Sequence, residues 1–269
     1  MPHTPFVSYA QNLEDVMLWR ALGHVEGGFF VDIGGDHPEA LSVTKSFSER
    51  GWRGINVEPL PDKHAAFTVA RPRDVNLRSL VGAREGEGRF WQFGTSDTGC
   101  STMDADVVAH HASRGELPTR EWVVPMTTVD LICDRHAPND IHFLKVDVEG
   151  AEEQVFAGMK LSRHRPWVIV AESMRPGTQE PAHGPWEPLL TGRGYQFVYA
   201  DGLNRFYLAD ERADLRKAFL YPPNVFDRFL LSGCEHQCGM VHRHLRNRWR
   251  LRPRWFTAKS RQAAPSRRG

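Results

Sequence analysis

The chain has 269 residues, 41% of them hydrophobic and 25% charged, with a mean hydropathy of -0.47. This composition argues against a disordered, collagenous or fibrous chain, and no run approaches the roughly 18 apolar residues of a transmembrane helix. The net charge of +1 conceals an asymmetry: after Glu235 there are ten Lys and Arg and no acid, leaving 24 basic and 33 acidic residues up to and including it, a net of -9. Residues 1–28 lack a basic start followed by an apolar run, and four cysteines are too few for a disulfide scaffold. The expectation is a protein of one or two domains with reduced thiols, located in the cytoplasm.

In chain order, the pattern predicts an N-terminal helical segment over 1–28, a body over 29–230 and a basic, partly disordered tail over 231–269. Ser8 is placed as the cap of a helix over Gln11–Leu22. Phe29–Ile33 reads as a buried strand running into Gly34-Gly35, followed by a helix over 39–50. A second strand spans Gly54–Glu58, then a helix over 62–70 and a third strand over Val75–Val81. The rhythm breaks over 82–126, where Arg89–Phe93 and Trp122–Pro125 read as strands of a small β insertion. A helix over Thr127–His136 follows, then a strand over Ile141–Val146, a helix over 151–158 and a strand over Trp167–Ala171. A helix around 185–193 and a pair of antiparallel strands, Tyr195–Tyr199 and Arg205–Leu208, close the body. Strands alternating with helices predict an α/β fold of Rossmann-like type, a mostly parallel central sheet with an antiparallel edge hairpin.

In such a sheet, ligands bind beyond the carboxyl ends of the strands. Neither G-x-G-x-x-G nor G-x-x-x-x-G-K-[ST] occurs, which disfavours dinucleotides and nucleoside triphosphates. A glycine turn after the first strand and a carboxylate, Glu58, ending the second suit the ribose of S-adenosylmethionine. Asp147, Glu149 and Glu172 follow the fourth and fifth strands, where paired carboxylates serve as a base or hold a divalent cation such as Mg²⁺. Glu152 and Glu153 sit where acids favour a helix dipole.

Several ordered stretches resemble the FkbM family of S-adenosylmethionine-dependent methyltransferases. They include S-Y-A-Q-N-L-E-D-V-M-L (8–18), F-V-D-I-G-G-D-H-P (30–38), S-V-T-K-S-F-S-E-R-G-W-R-G-I-N-V-E-P (42–59), G-C-S-T-M (99–103) and H-F-L-K-V-D-V-E-G-A-E (142–152). W-V-I-V-A-E-S (167–173), D-G-L-N-R-F-Y (201–207) and P-P-N-V-F-D (222–227) extend the likeness over about 7–230. The resemblance implies a Rossmann-like fold and O-methylation, often of sugar hydroxyls in glycans or natural products. It places Asp32, Gly34, Gly35, Asp36 and Glu58 at the cofactor, and Asp147, Glu149 and Gly150 beside the reacting centre. It also sets Tyr9, Gln11, Asn12 and Asp15 over the cofactor or acceptor. Gly34-Gly35-Asp36 departs from the family's usual Gly-Ala-Asn.

The expected chemistry is in-line methyl transfer to a hydroxyl of a sugar, glycan or small molecule. Asp147 is the first candidate base, with Glu172 and Glu149 next; Asp147 and Glu172 would hold Mg²⁺ in a metal-assisted version. His183 is a further candidate base, segments 99–104 and 182–188 candidate acceptor walls, and Trp186 either a sugar platform or a core residue. The basic tail, with Trp249, Trp255 and Phe256, suits a peripheral contact with an anionic membrane or carrier at the membrane's inner face. It equally motivates the alternative of an RNA methyltransferase, and the Gly35-Asp36 departure that of a non-catalytic cofactor-binding module. Cys234, His236, Cys238, His242 and His244 have no common zinc-finger spacing.

Overall fold

The computed structural model describes residues 5–94 and 101–232. The tail residues, including the Cys234–His244 group, and residues 99–100 of the acceptor-wall segment lie outside the described residues.

Twelve strands among the described residues form three sheets. In the large sheet, β2 (Phe29–Ile33) pairs in parallel with β3 (Arg53–Val57) on one side and β8 (Phe143–Val146) on the other. β4 (Val75–Leu77) continues beyond β3, and β9 (Val168–Glu172) beyond β8, both parallel. The hairpin of β10 (Tyr195–Ala200) and β11 (Asn204–Ala209) closes the edge, β11 running antiparallel to β9. The strand order is β10-β11-β9-β8-β2-β3-β4. The chain moves outward from β2 through β3 and β4, then returns to lay down β8 and β9 on the other side. The order therefore reverses between β2 and β8, which is where a ligand crevice opens in such sheets. All four residues of β8 are buried, as expected of a strand covered on both faces.

One face carries Val31, Ile33, Val57, Leu144, Val146 and Ile169, packed with α5 (Val129–His136) and α6 (Glu152–Ala157). The other face packs against α1 (Glu14–Leu22), through Val16, Met17 and Leu18, and against α2 (Lys45–Glu49), through Phe47. Phe47 is the hinge of this layer: its ring centroid lies 4.9 Å from both Trp52 and Phe143 and 6.1 Å from Phe6.

Several expectations shift in detail. The α1 helix begins at Glu14, and Ser8 belongs to β1 (Phe6–Ser8), which pairs with β12 (Phe229–Leu231). Ser8 does not cap the helix; its hydroxyl donates to the buried Asp15 carboxylate at 2.7 Å. The helix expected over 39–50 is confined to Lys45–Glu49. The strand expected over 75–81 is split: β4 stays in the large sheet, whereas β5 (Leu80–Val81) joins β6 (Gly86–Gln92) and β7 (Arg120–Thr127) in a separate three-stranded sheet. Helix α4 (Ala105–Ser113), absent from the sequence reading, is capped by Asp104, which accepts from the Asp106 and Val107 amides.

Because Phe47 joins α2 to both Trp52 and the sheet, Phe47→Ala is expected to cost about 3–5 kcal/mol of unfolding free energy. A urea titration showing a loss under about 1 kcal/mol would contradict this packing role.

Candidate active site

The carboxyl ends of β2, β3, β8 and β9 converge on a cavity of about 460 Å³. Its lining includes Gln11, Asp32, Gly34, Gly35, Asp36, Glu58, Asp147, Glu149 and Glu172. The candidates expected at the cofactor or as carboxylate bases thus share one space, apart from Tyr9. Tyr9 is the exception: its ring lies under Lys45 Nζ at 4.3 Å and its hydroxyl faces Glu49. The N-terminal motif divides accordingly. Gln11 and Glu14 reach the cavity. Asp15 instead ties the backbone of Tyr9 and Ala10, and Asn12 donates to the Asp201 carbonyl.

The turn after β2 fixes the first arm. Gly34 has φ +77°, and a Cβ there would stand 1.8 Å from the Asp147 carbonyl oxygen, so the chains leaving β2 and β8 approach to a distance only glycine permits. At Gly35 a Cβ would lie 2.7 Å from Phe67 Cζ; the missing methyl makes room for that ring. Asp36, also left-handed at φ 54°, pairs with Lys63. The departure from Gly-Ala-Asn is therefore accommodated by Phe67 and Lys63.

Glu58 is buried. Its carboxylate accepts from the Asp36 amide at 3.1 Å and the Leu60 amide at 2.8 Å, linking the two glycine-arm turns. Burial raises its pKa to about 7 against the pull of the Leu60 amide. Leu60, Leu80, Phe90 and Met103 make an apolar wall beside it. An acid next to an apolar slot, with close-approach backbone opposite, fits a nucleoside: ribose hydroxyls on Glu58 and a flat base on the wall.

The second arm carries the acids. Lys145 lies in β8, its ammonium 3.1 Å from Asp147 Oδ2, 3.7 Å from Asp32 Oδ1 and 3.3 Å from the Gly34 carbonyl oxygen. Asp32 also accepts from the Thr44 hydroxyl at 3.3 Å, and burial raises its pKa. Oxygens of Asp147, Glu149 and Glu172 lie within 4.8 Å of one another. Burial, and then the charge of Asp147, pushes Glu149 well above the usual carboxylate range and Glu172 to about 11. Glu172 Oε2 is buried without a hydrogen-bond partner among the described residues. Glu149 has left-handed backbone at φ 53°, the kind of strain that clusters where side chains are aimed at a site.

Other candidates resolve differently. Glu152 does not merely face a helix dipole: it is buried and accepts from the Val148 and Gly150 amides, shaping the turn after β8, while Glu153 is exposed. Trp186 is a core residue, 2% exposed and packed on Phe156 and Tyr207, so the sugar-platform reading falls. His183 is absent from the cavity lining; the β9–α7 (Glu187–Thr191) connection contributes Arg175, Gly177 and Thr178 instead. From the other candidate wall, Ser101 and Met103 line the cavity.

Burial raises Glu14, Glu58 and Glu152 to about 7 and Asp15 to about 6, alongside the larger shifts at Glu149 and Glu172. Between the ordinary carboxylate value and these raised values the folded chain binds more protons than the unfolded one, so stability declines as pH rises. His142, lowered by burial, acts in the opposite sense but is a single group. Thermal unfolding of the ligand-free protein is expected at higher temperature at pH 5.5 than at pH 7.5. A midpoint that rises with pH over this interval would refute the buried-acid assignment.

The family model of the Methyltransferase FkbM domain matches residues 32–197. No curated protein matches the chain.

Proposed function

The chain belongs to the FkbM methyltransferase family, and from that premise we propose that it is an S-adenosylmethionine-dependent O-methyltransferase acting on a hydroxyl of a sugar, glycan or natural product. The observation that carries this reading is the meeting, in one cavity, of a nucleoside-shaped arm and a carboxylate trio. When bound, S-adenosylmethionine supplies an electrophilic methyl group on a sulfonium. Gly34, Gly35 and Glu58 are the residues suited to hold it, with Asp32 and Asp36 fixing the turn between them.

The remaining work falls to the chain's own groups. Orientation of the acceptor contributes about 7–11 kcal/mol in reactions of this kind. A sugar hydroxyl is a weak nucleophile until its proton leaves, and a positioned carboxylate contributes about 10²–10⁴-fold. We assign that duty to Asp147, which pairs with an ammonium and so retains an acceptor oxygen beside the cavity. Glu172 and Glu149, which burial pushes toward the protonated form, are assigned to orienting the acceptor oxygen. Arg175 and Thr178 extend toward the same space from the β9–α7 connection.

A second reading is favoured by the spacing of the trio. Three carboxylate oxygens within 4.8 Å suit an oxygen-loving divalent cation such as Mg²⁺, which Asp147, Glu149 and Glu172 would hold and which would acidify the hydroxyl directly. Chelation separates the two: activity that survives EDTA supports the base, and activity that disappears and returns with Mg²⁺ supports the cation.

Asp147→Asn is expected to bind the cofactor with wild-type affinity and lose about 10²–10⁴-fold in turnover, measured with sugar acceptors and with RNA side by side. Turnover at the wild-type rate would move the role elsewhere, and methylation of RNA alone would overturn the acceptor class. In calorimetry, Glu58→Ala is expected to weaken cofactor binding by about 1.5–3 kcal/mol. Unchanged affinity in a folded variant would remove Glu58 from the ribose.

A further inference from the structure

Six of the ten large apolar side chains exposed among the described residues fall between 220 and 231. Val225 is 85% and Phe226 88% exposed, and Leu220, Tyr221, Leu230 and Leu231 are exposed around them. This exposure does not come from a frayed end. Arg20, in α1, clamps the segment: its guanidinium donates to both oxygens of Asp227 at 2.6 Å and to the carbonyl oxygens of Ala218, Tyr221 and Pro222. Within the clamp, Asn224 accepts from the Phe226 amide at 3.0 Å and Asp227 accepts from the Asn224 amide at 2.7 Å, a reciprocal capping box. A turn held by a half-buried arginine and its own cap thus displays Val225 and Phe226 outward. Fixed exposure of apolar side chains is unfavourable in water and marks a contact surface.

The charge around this turn indicates what it contacts. Arg216, Lys217 and Arg228 are exposed close to it in sequence, against Asp214, while Asp227 is neutralised by Arg20. In sequence, the strand that follows leads directly to the stretch after Glu235, with ten Lys and Arg, no acid, and Trp249, Trp255 and Phe256. Protruding apolar side chains bordered by cations match the interfacial region of an anionic bilayer, where apolar groups enter the acyl boundary and cations meet the headgroups.

We propose that the turn 220–227 is a membrane-docking prong that inserts Val225 and Phe226 into an anionic lipid surface, with the basic residues around and after it supplying electrostatic attraction. Apolar insertion and charge act together: the first gives a contact that neutral solutes do not compete for, the second selects the anionic surface. The proposal stands apart from the methyl-transfer reading, since none of these residues lines the cavity.

The test is co-sedimentation of the full chain with vesicles of phosphatidylcholine alone or with one-third phosphatidylglycerol. Binding to the anionic vesicles is expected, with little to the neutral ones and marked weakening at 0.5 M salt, a concentration at which the Debye length falls to about 4–5 Å. The double variant Val225→Ser, Phe226→Ser is expected to keep the wild-type unfolding midpoint and cofactor affinity while losing about tenfold or more in vesicle affinity. Equal sedimentation of wild type and double variant on anionic vesicles would overturn the proposal, as would absence of sedimentation at low salt. A concentration-dependent dimer in light scattering that the double variant abolishes, without vesicle binding, would assign the prong to a second copy of the chain and also overturn it.

Discussion

The ammonium of Lys145 holds the floor of the cavity together. It sits between Asp147 and Asp32, on neighbouring strands, and donates to the carbonyl oxygen of Gly34, at the point where the strand order reverses. Burial alone would lower its pKa, but Asp147 and Asp32 outweigh burial and hold it above the ordinary lysine value. Without that charge, two carboxylates at the ends of adjacent parallel strands would repel across a low-dielectric gap. The close approach of Gly34 to the Asp147 carbonyl depends on the same stitch, because both chains leave the sheet within its reach. One cation thus ties the cofactor arm to the acid arm, while Glu58 and Glu152 shape the turns within each.

Much of this architecture was legible as pattern. The runs Phe29–Ile33 and Phe143–Val146 are apolar apart from Asp32 and Lys145 and bounded by glycine or acid, and they form the two strands that flank the crevice. Knowing that ligands bind at strand carboxyl ends was enough to select Asp32, Gly34, Glu58, Asp147 and Glu172, and the fold brings these together. What local pattern lacked was partner choice. Val75–Val81 reads as one strand, yet Leu77 pairs with β3 whereas Leu80 pairs with Met126. Both pairings are apolar and extended, so composition does not distinguish them. The helix expected over 39–50 shortens for a similar reason: Arg71 reaches across to the Pro38 and Thr44 carbonyl oxygens, holding 38–44 in a non-helical course. Its lone signal, a buried arginine 27 or more residues away, is long-range.

The N-terminal motif shows how one contiguous string mixes roles. Asp15 is invisible to the cavity but fixes Ser8, Tyr9 and Ala10, and Glu14 receives Asn204 from the edge hairpin at 2.9 Å. Asn204 in turn stands opposite Glu172 in the β9–β11 register. Helix α1 is therefore linked through one amide to the strand that carries a candidate catalytic acid, which a reading of the helix by itself does not reveal. Trp186 teaches the converse. Its aromatic type suited a sugar platform, but β11 supplies Tyr207 and α6 supplies Phe156 to enclose it. Side-chain chemistry proposed the role, and packing decided it.

A raised pKa does not by itself separate working acids from structural ones in this protein. Glu14, Asp15, Glu58 and Glu152 are all raised by burial, yet each accepts at least one backbone amide and holds a turn in place. Such amides stabilise the charged form and partly offset desolvation. Glu172 differs: the charges of Asp147, Glu149 and Glu152 add to its burial, and its Oε2 has no hydrogen-bond partner among the described residues. An acid whose oxygens accept from the fold is held in place by it, as Glu58 is at the cavity edge; Glu172 has an oxygen left over for a ligand. Burial with an unsatisfied oxygen, at the end of a strand and beside a cavity, therefore sets Glu172 apart from these four acids, and the distinction follows from hydrogen-bond accounting rather than from the magnitude of any shift.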